Sequence, residues 1–471
     1  MFKIRFHVLI ICCFTAIQTW AVRPDQKNLP VGLTPEEAQI MNARGEQRME
    51  AGEAPPPGMI HSLGEWEEAS EVMTLWSNPS YIKALSDHGK VRLLADSASE
   101  KTWWQDWLTK QNQQILTSQF SYFIVQTDSI WIRDYGPWPI VDSNGQLGLV
   151  DTIYNRPRPM DDKVPDFIGQ AMHLPVYKIG LVHTGGNYYS DGLGNAFSST
   201  LVMTENSKLA AQEILQRMLN FLGIESYVTS PLSPKKTIEH LDTFGKLVAP
   251  DTWVFSQFPT SSPHYADSEK MVALLKTKTS PYGTPYKIFR LKMTPINSGY
   301  SENYRAYLNS FISNGALFFP TYGDNVDEIV KATYQQALPG YKIIGVNNQG
   351  TEWGDSVHCR TRNLMNPNTI FIFPHVDAAT LVEGQRVHVT AQIYASPGAQ
   401  LTNANILWRA DNEASETVQL TMTGPNQYEG WIPQQKRGTN LSFYIKADDS
   451  SGRVKTAPIK APQMEIQATI Q

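Results

Sequence analysis

Five short stretches of the chain concentrate the residue types that make and break covalent bonds. WIRDYGPWP (131–139) sets Asp134 between aromatic residues and a Gly-Pro turn, and TIEHLDTFGKL (237–247) places His240 and Asp242 two positions apart. TGGNYYSDGLGNAFSS (184–199) is rich in glycine and amides, and NSGYSENYRAYLNSF (297–311) opens on Asn297. DSVHCRTRN (355–363) carries Cys359 beside His358, with Arg360 and Arg362 close behind. A cysteine, a histidine and two aspartates suit a substrate that is a flat cation. Two carboxylates can accept the forked N–H groups of a guanidinium and turn its carbon toward a thiolate. Such a substrate would itself favour the thiolate, because nearby positive charge lowers a cysteine pKa. A histidine can then protonate departing ammonia and activate water.

Each stretch also has a structural reading. His240 and Asp242 point the same way only from a strand or extended segment; in a helical turn EHLD would be an exposed surface feature. A His-x-Asp pair could bind zinc, but that needs further ligands. His358 and Cys359 are adjacent, so on a strand they face opposite ways. Asp134 could simply cap a turn or pair with Arg133. The Gly-Gly-Asn loop alone matches an ordinary turn and is no phosphate-binding fingerprint. No metal or cofactor is called for.

The N-terminus bears on the cysteine. MFKIRFH supplies a basic region, VLIICCFTAI an apolar run, and TWA a small-residue cleavage site after Ala21. This pattern predicts a signal peptide over residues 1–21. The run is too short for a permanent span, and no later segment approaches ~18 consecutive apolar residues. A lipoprotein reading through Cys12 is weaker, because Ile11 is bulkier than such processing expects. The expectation is a secreted or periplasmic protein without stable membrane insertion. Cleavage would remove Cys12 and Cys13 and leave Cys359 as the sole thiol. It would then be an intermolecular bridge, an inert buried residue or a reactive nucleophile. The net charge of −5 over 471 residues argues against a nucleic-acid partner.

The rest of the chain must position these groups. Residues 22–60 are rich in proline and charge and read as a leader or pro-segment, with a short helix in TPEEAQIMNARGEQRME. Residues 61–375 alternate apolar strands such as VRLLAD, FSYFIVQ, LGLVDTIY, GKLVAP and GALFFP with amphipathic helices. One helix is expected in ENSKLAAQEILQRMLNFLG, with Ile214, Leu215, Met218, Leu219 and Leu222 on one face. Another is expected in NVDEIVKATYQQALPG, with Val326, Ile329, Val330 and Ala337 aligned. Residues 376–471 change texture to short alternating strands such as RVHVTAQIYA and NLSFYIKADD, which reads as an immunoglobulin-like β-sandwich.

WIRDYGPW, TGGN, IEHLDTFGKL, NSGYSENYRAYLNSFISNGALFFPTYG and SVHCRTRN occur in the order of the motifs of the bacterial peptidylarginine deiminase and agmatine deiminase family. With YNRPRPMDD (154–162) and the sandwich that follows, the chain most resembles the Porphyromonas-type peptidylarginine deiminases. The resemblance implies an α/β catalytic domain, a pseudo-fivefold α/β-propeller (the pentein fold), with the site at its centre. It implies Cys359 as nucleophile, His240 as general acid and base, and Asp134 and Asp242 as guanidinium holders. Trp131 would cover the aliphatic stem, Asn297 would line the site, and Arg156 and Arg158 would bind a substrate carboxylate. Surface attachment through the further C-terminal sorting domain of that secreted enzyme is not expected.

The reading that follows is an exported hydrolase converting peptide arginine, preferably C-terminal arginine, to citrulline and ammonia through a covalent thiouronium. One alternative is a deiminase of a small guanidine such as agmatine. Agmatine has no carboxylate, so Arg156 and Arg158 count against it. Another is an exported binding or adhesion protein with an inactive core, against which the complete Cys-His-Asp-Asp set counts.

Overall fold

Apolar runs of five to seven residues, too short for stable helices, form the strands Val91–Ala95, Phe120–Ile124, Leu147–Ile153, Gly245–Ala249 and Ala316–Thr321. The computed structural model in which they are seen describes residues 29, 33–44, 53–111, 115–232, 238–296, 304–348, 355–411 and 413–471.

Residues 61–365 form a mixed α/β arrangement of five small sheets among the described residues. Four of the sheets repeat one unit: an antiparallel pair, a helix, and a strand returning parallel to the second of the pair. Trp138–Val141 and Leu147–Ile153 lead through helix Val164–Met172 to Val176–Val182. Tyr189–Ser190 and Asn195–Ser199 lead through helix Ala211–Leu222 to Ser226–Ser230. Gly245–Ala249 and Thr252–Gln257 lead through Tyr265–Lys276 to Lys287–Lys292. Phe311–Ser313 and Ala316–Thr321 lead through Asn325–Ala337 to Lys342–Asn347. The fifth sheet draws on distant sequence: Thr361–Met365 pairs antiparallel with Ala69–Thr74, which runs parallel to Val91–Ala95. The strand after the cysteine therefore rests on the first long strand of the region.

Two helices turn their expected faces. Ala211–Leu222 starts after Glu205 and buries Ile214, Met218, Phe221 and Leu222, leaving Leu219 exposed. Asn325–Ala337 buries Val330, Tyr334 and Ala337 and leaves Ile329 exposed. There an aromatic residue sets the inward direction, since Tyr334 donates its hydroxyl to the Tyr307 carbonyl at 2.9 Å. The first of these helices ends at Gly223 with φ +67°, where a Cβ would lie 1.8 Å from the Ile60 carbonyl oxygen. Only glycine fits.

The C-terminal region is all-β and antiparallel. One sheet holds Phe371–Val376, Val387–Tyr394, Gln427–Ile432 and Thr421–Gly424. The other is built on Leu401–Ala410 and Asn440–Asp449. Leu441, Phe443, Ile445 and Ala447 point inward with the period of two that a half-buried strand requires. The expected division between residues 375 and 376 falls within Phe371–Val376, which pairs with Val387–Tyr394. No helix among the described residues is long and apolar enough to cross a membrane.

Candidate active site

Cys359 lies in the turn before strand Thr361–Met365 and is 1% exposed. Asn309 clamps this turn. Its Oδ1 accepts the N–H groups of His358 (3.1 Å) and Cys359 (3.2 Å), while its Nδ2 lies 3.1 Å from Cys359 Sγ. Arg133 donates its backbone N–H to the Cys359 carbonyl at 3.2 Å. The two arginines that follow are braces. Arg360 pairs with Asp355 (2.8 Å) and lies over the Trp76 ring, and Arg362 donates to the Pro137 carbonyl (2.7 Å).

His240 and Asp242 reach the site from a turn, not from a strand. His240 has extended backbone (φ −81°, ψ 138°), and Asp242 belongs to the single 3₁₀ turn Leu241–Thr243 that follows. Asn187, from the Gly-Gly-Asn loop, ties this turn down by accepting the Leu241 N–H (3.2 Å) and the Ser199 N–H (2.9 Å). Asp242 Oδ2 lies 3.6 Å from Cys359 Sγ and accepts from Asn309 Nδ2 at 3.1 Å. Its Oδ1 has no hydrogen-bond partner among the described residues. His240 Nε2 is 3.1 Å from Thr184 Oγ1, and its Nδ1 is 3.6 Å from Asp134 Oδ1. Asp134, in the helical turn Ile132–Tyr135, accepts the Gly186 N–H at 3.1 Å.

Gly186 marks the point where these groups converge. A Cβ there would lie 2.7 Å from Asp134 Oδ1, 2.7 Å from His240 Nδ1 and 3.1 Å from Asp242 Oδ2. The missing side chain lets a histidine and two carboxylates close in on one point of the backbone.

Beneath the cysteine is a buried charge network. Glu65 accepts from Arg133 Nη2 (2.6 Å), from the Ile312 N–H (3.1 Å) and from Lys246. It also faces His358 Nε2 at 3.1 Å, and His358 Nδ1 lies 2.7 Å from Asp242 Oδ2. Burial would raise the Glu65 carboxyl, but Lys246 and Arg133 hold it well below the usual range. Burial, with the charges of Arg133 and Lys246, drives His358 well down. Burial, reinforced by Asp134, pushes Asp242 well up. A neutral His358 has one N–H for two carboxyl neighbours, so a proton retained by Asp242 satisfies the second contact.

The upper groups follow the same logic. Burial pushes Asp134 up to about 6. Burial, Arg156 and His183 drive His240 well down. Burial, then the charges of Asp242 and Asp134, push the Cys359 thiol well up. These surroundings favour a neutral thiol and a neutral imidazole. A bound cation reverses the balance for the thiol and both carboxyls.

Arg156 and Arg158 are both buried, and both act on Asp134 through their charge. The Arg158 guanidinium lies over the Trp131 ring at 5.1 Å. Asn297 lies outside the described residues.

The Porphyromonas-type peptidyl-arginine deiminase family matches residues 61–364. The chain belongs to that family. The match takes in Cys359, His240, Asp134 and Asp242 and ends before the all-β region. A relative from Enterococcus faecalis, whose name places it among agmatine deiminases, is 23% identical over 358 residues, covering 66% of this chain and 97% of its own. The solved structure of C. jejuni agmatine deiminase is 25% identical with a TM-score of 0.54, covering 65% of this chain and 96% of that one. The structure of agmatine deiminase of Enterococcus faecalis shares the fold, with a TM-score of 0.55 at 20% identity over 66% of this chain and 99% of that one. The chain is a pentein-type deiminase, an enzyme that hydrolyses amidine C–N bonds.

This family member brings Cys359, His240, Asp134 and Asp242 together, with Trp131, Arg156 and Arg158 at one side. Sequence reasoning did not single out Asn309, Thr184, Gly186, Glu65 or Lys246. Asn309 lies in the stretch that opens on Asn297, and an amide that clamps backbone has no spacing signature. Glu65 in SLGEWEEAS reads as one carboxylate among several. Only the convergence of several sheets on it sets it apart.

Proposed function

We propose that this deiminase acts on arginine with a free α-carboxylate, as at the C-terminus of a peptide, yielding citrulline and ammonia. The observation that carries the chemistry is the convergence of Asp134, His240 and Asp242 on Gly186, with Asp242 3.6 Å from Cys359 Sγ. A guanidinium there donates to Asp134 and to the unpartnered Oδ1 of Asp242. Its charge draws the proton from the Cys359 thiol to His240. The thiolate attacks the guanidinium carbon, and His240 returns the proton to one nitrogen, which leaves as ammonia. A thiouronium on Cys359 remains. His240 then deprotonates water, the hydroxide adds to the same carbon, and collapse to the ureido group expels the thiolate. The preference for a carboxylate rests on Arg156 and Arg158, two buried forks, the second lying over the Trp131 ring. The sequence also supports export through residues 1–21 and an immunoglobulin-type C-terminal sandwich.

A second reading, turnover of a small guanidine such as agmatine, is favoured by the names of the relatives. A substrate panel separates the two: free arginine, agmatine, and peptides with internal, terminal and amidated terminal arginine. Ammonia release is expected to be fastest for terminal arginine, and Cys359→Ala abolishes it for every substrate. Rapid turnover of agmatine with none of any peptide would replace the first reading with the second.

A further inference from the structure

Arg158 is already engaged by a carboxylate of its own chain. The helix Pro35–Arg44 begins with a capping box, in which Thr34 Oγ1 accepts the Glu37 N–H (3.0 Å) and Glu37 Oε2 accepts the Thr34 N–H (2.9 Å). The same carboxylate receives the Arg158 fork, Nε to Oε1 at 2.8 Å and Nη2 to Oε2 at 3.2 Å. This two-point geometry is the one a substrate carboxylate would adopt. Capping needs no arginine, and helix ends are usually capped near water, yet Glu37 is only 9% exposed and Arg158 2%. Leu29, upstream of the helix, packs against the apolar cluster that contains Trp131 and Cys359. The segment that precedes the family match therefore reaches the edge of the site. Burial would raise the Glu37 carboxyl, but Arg158 and the Thr34 N–H hold it below its ordinary value and keep it charged.

We propose that Glu37 is a specificity-determining residue: it holds Arg158 as an internal surrogate for the substrate's α-carboxylate. The inference rests on the reading of Arg158 as a carboxylate-binding residue. A substrate ending in a carboxylate must displace Glu37 to gain the Arg158 fork, and its advantage over an amidated substrate shrinks accordingly. A guanidine without a carboxylate does not compete and is unaffected. Arg156 has no such ion pair to Glu37 and keeps part of the preference in the intact chain.

The substitution Glu37→Gln tests this with little change to the helix. Glutamine at the third helical position still accepts the Thr34 N–H, so only the charge facing Arg158 is removed. KM is measured for a peptide ending in free arginine, for its C-terminal amide and for agmatine, with wild type, Glu37→Gln and Arg158→Gln. Glu37→Gln is expected to lower KM for the free-carboxylate peptide roughly tenfold, the scale of one charge-assisted hydrogen bond, and to leave the other two unchanged. An unchanged or higher KM for that peptide, while Arg158→Gln raises it, overturns the surrogate role and leaves the proposed function standing. If Arg158→Gln affects the free and amidated peptides equally, Arg158 is no carboxylate site and both readings fall. Turnover of agmatine alone has the same consequence.

Discussion

Gly186 lets the polar groups of the site close in on one another. Its Cβ position lies within 2.7 Å of both Asp134 Oδ1 and His240 Nδ1, closer than carbon and a polar atom can approach. Gly186→Ala must therefore push these two groups out of the positions the proposed chemistry needs. Kcat/KM is expected to drop at least about a hundredfold, since misplacement by an ångström costs that much, while thermal unfolding moves little. Near-normal activity would mean that the guanidinium sits elsewhere. The carboxylates make a second expectation, in pH. Burial raises Asp134 to about 6, so the folded protein holds a proton there that the unfolded chain releases at lower pH. As pH rises from about 4 to about 6, this group lowers stability while the cation-binding, ionised form accumulates. Asp242 is pushed up as well, and adjacent carboxyls titrate as a pair. The acid limb of kcat/KM, which reports the free enzyme, is expected at about 6 or above. A midpoint below pH 5 would contradict the assignment.

Among the elements, Glu65 is the common tie. It reaches Arg133 from the turn Ile132–Tyr135, Lys246 from strand Gly245–Ala249, the Ile312 N–H from strand Phe311–Ser313, and His358 from the cysteine turn. Lys246 is fully buried, and burial has already lowered it to about 8. Removing the carboxylate strands two buried cations. Glu65→Ala is expected to cost about 3–5 kcal/mol in urea unfolding and to lower kcat by loosening the Cys359 turn; a loss below about 1 kcal/mol, the range of an exposed pair, would contradict this. The network also explains how much could be read beforehand. Most strands were visible as short apolar runs, and Cys359, His240, Asp134 and Asp242, which the fold brings close together, stood out by residue type. Asn309, Thr184 and Glu65 were not visible, because their roles lie in hydrogen bonds between segments far apart in sequence. The helix faces were misread where an aromatic, Tyr334, outweighed the aliphatic stripe. His240 and Asp242 both approach Gly186, His240 from the extended backbone expected and Asp242 from the 3₁₀ turn that follows it.

At the scale of the whole molecule, the all-β region shares its packing with the α/β region. Phe371, Phe373 and Tyr394 form one apolar cluster with Leu63, Val141, Leu147 and Met365, and Tyr282 joins the apolar core of the all-β region. The His61 ring stacks on Phe373 with centroids 3.8 Å apart, and Lys455 pairs with Glu67 at 3.2 Å with both side chains largely buried. A contact of this kind transmits stability, because neither cluster closes without the other region. Phe373→Ala tests the coupling from the side of the all-β region. Truncating a buried phenylalanine costs about 3–5 kcal/mol, and the loss falls here on a surface that belongs to both regions. Calorimetry of the full chain is expected to give one transition, which the substitution shifts down as a unit. Deiminase activity is expected to be lost at the same lowered temperature, although Phe373 lies outside the family match and touches none of the site residues. Two transitions, with only the non-catalytic one displaced and activity retained to the original temperature, would show that the all-β region merely hangs on the enzyme.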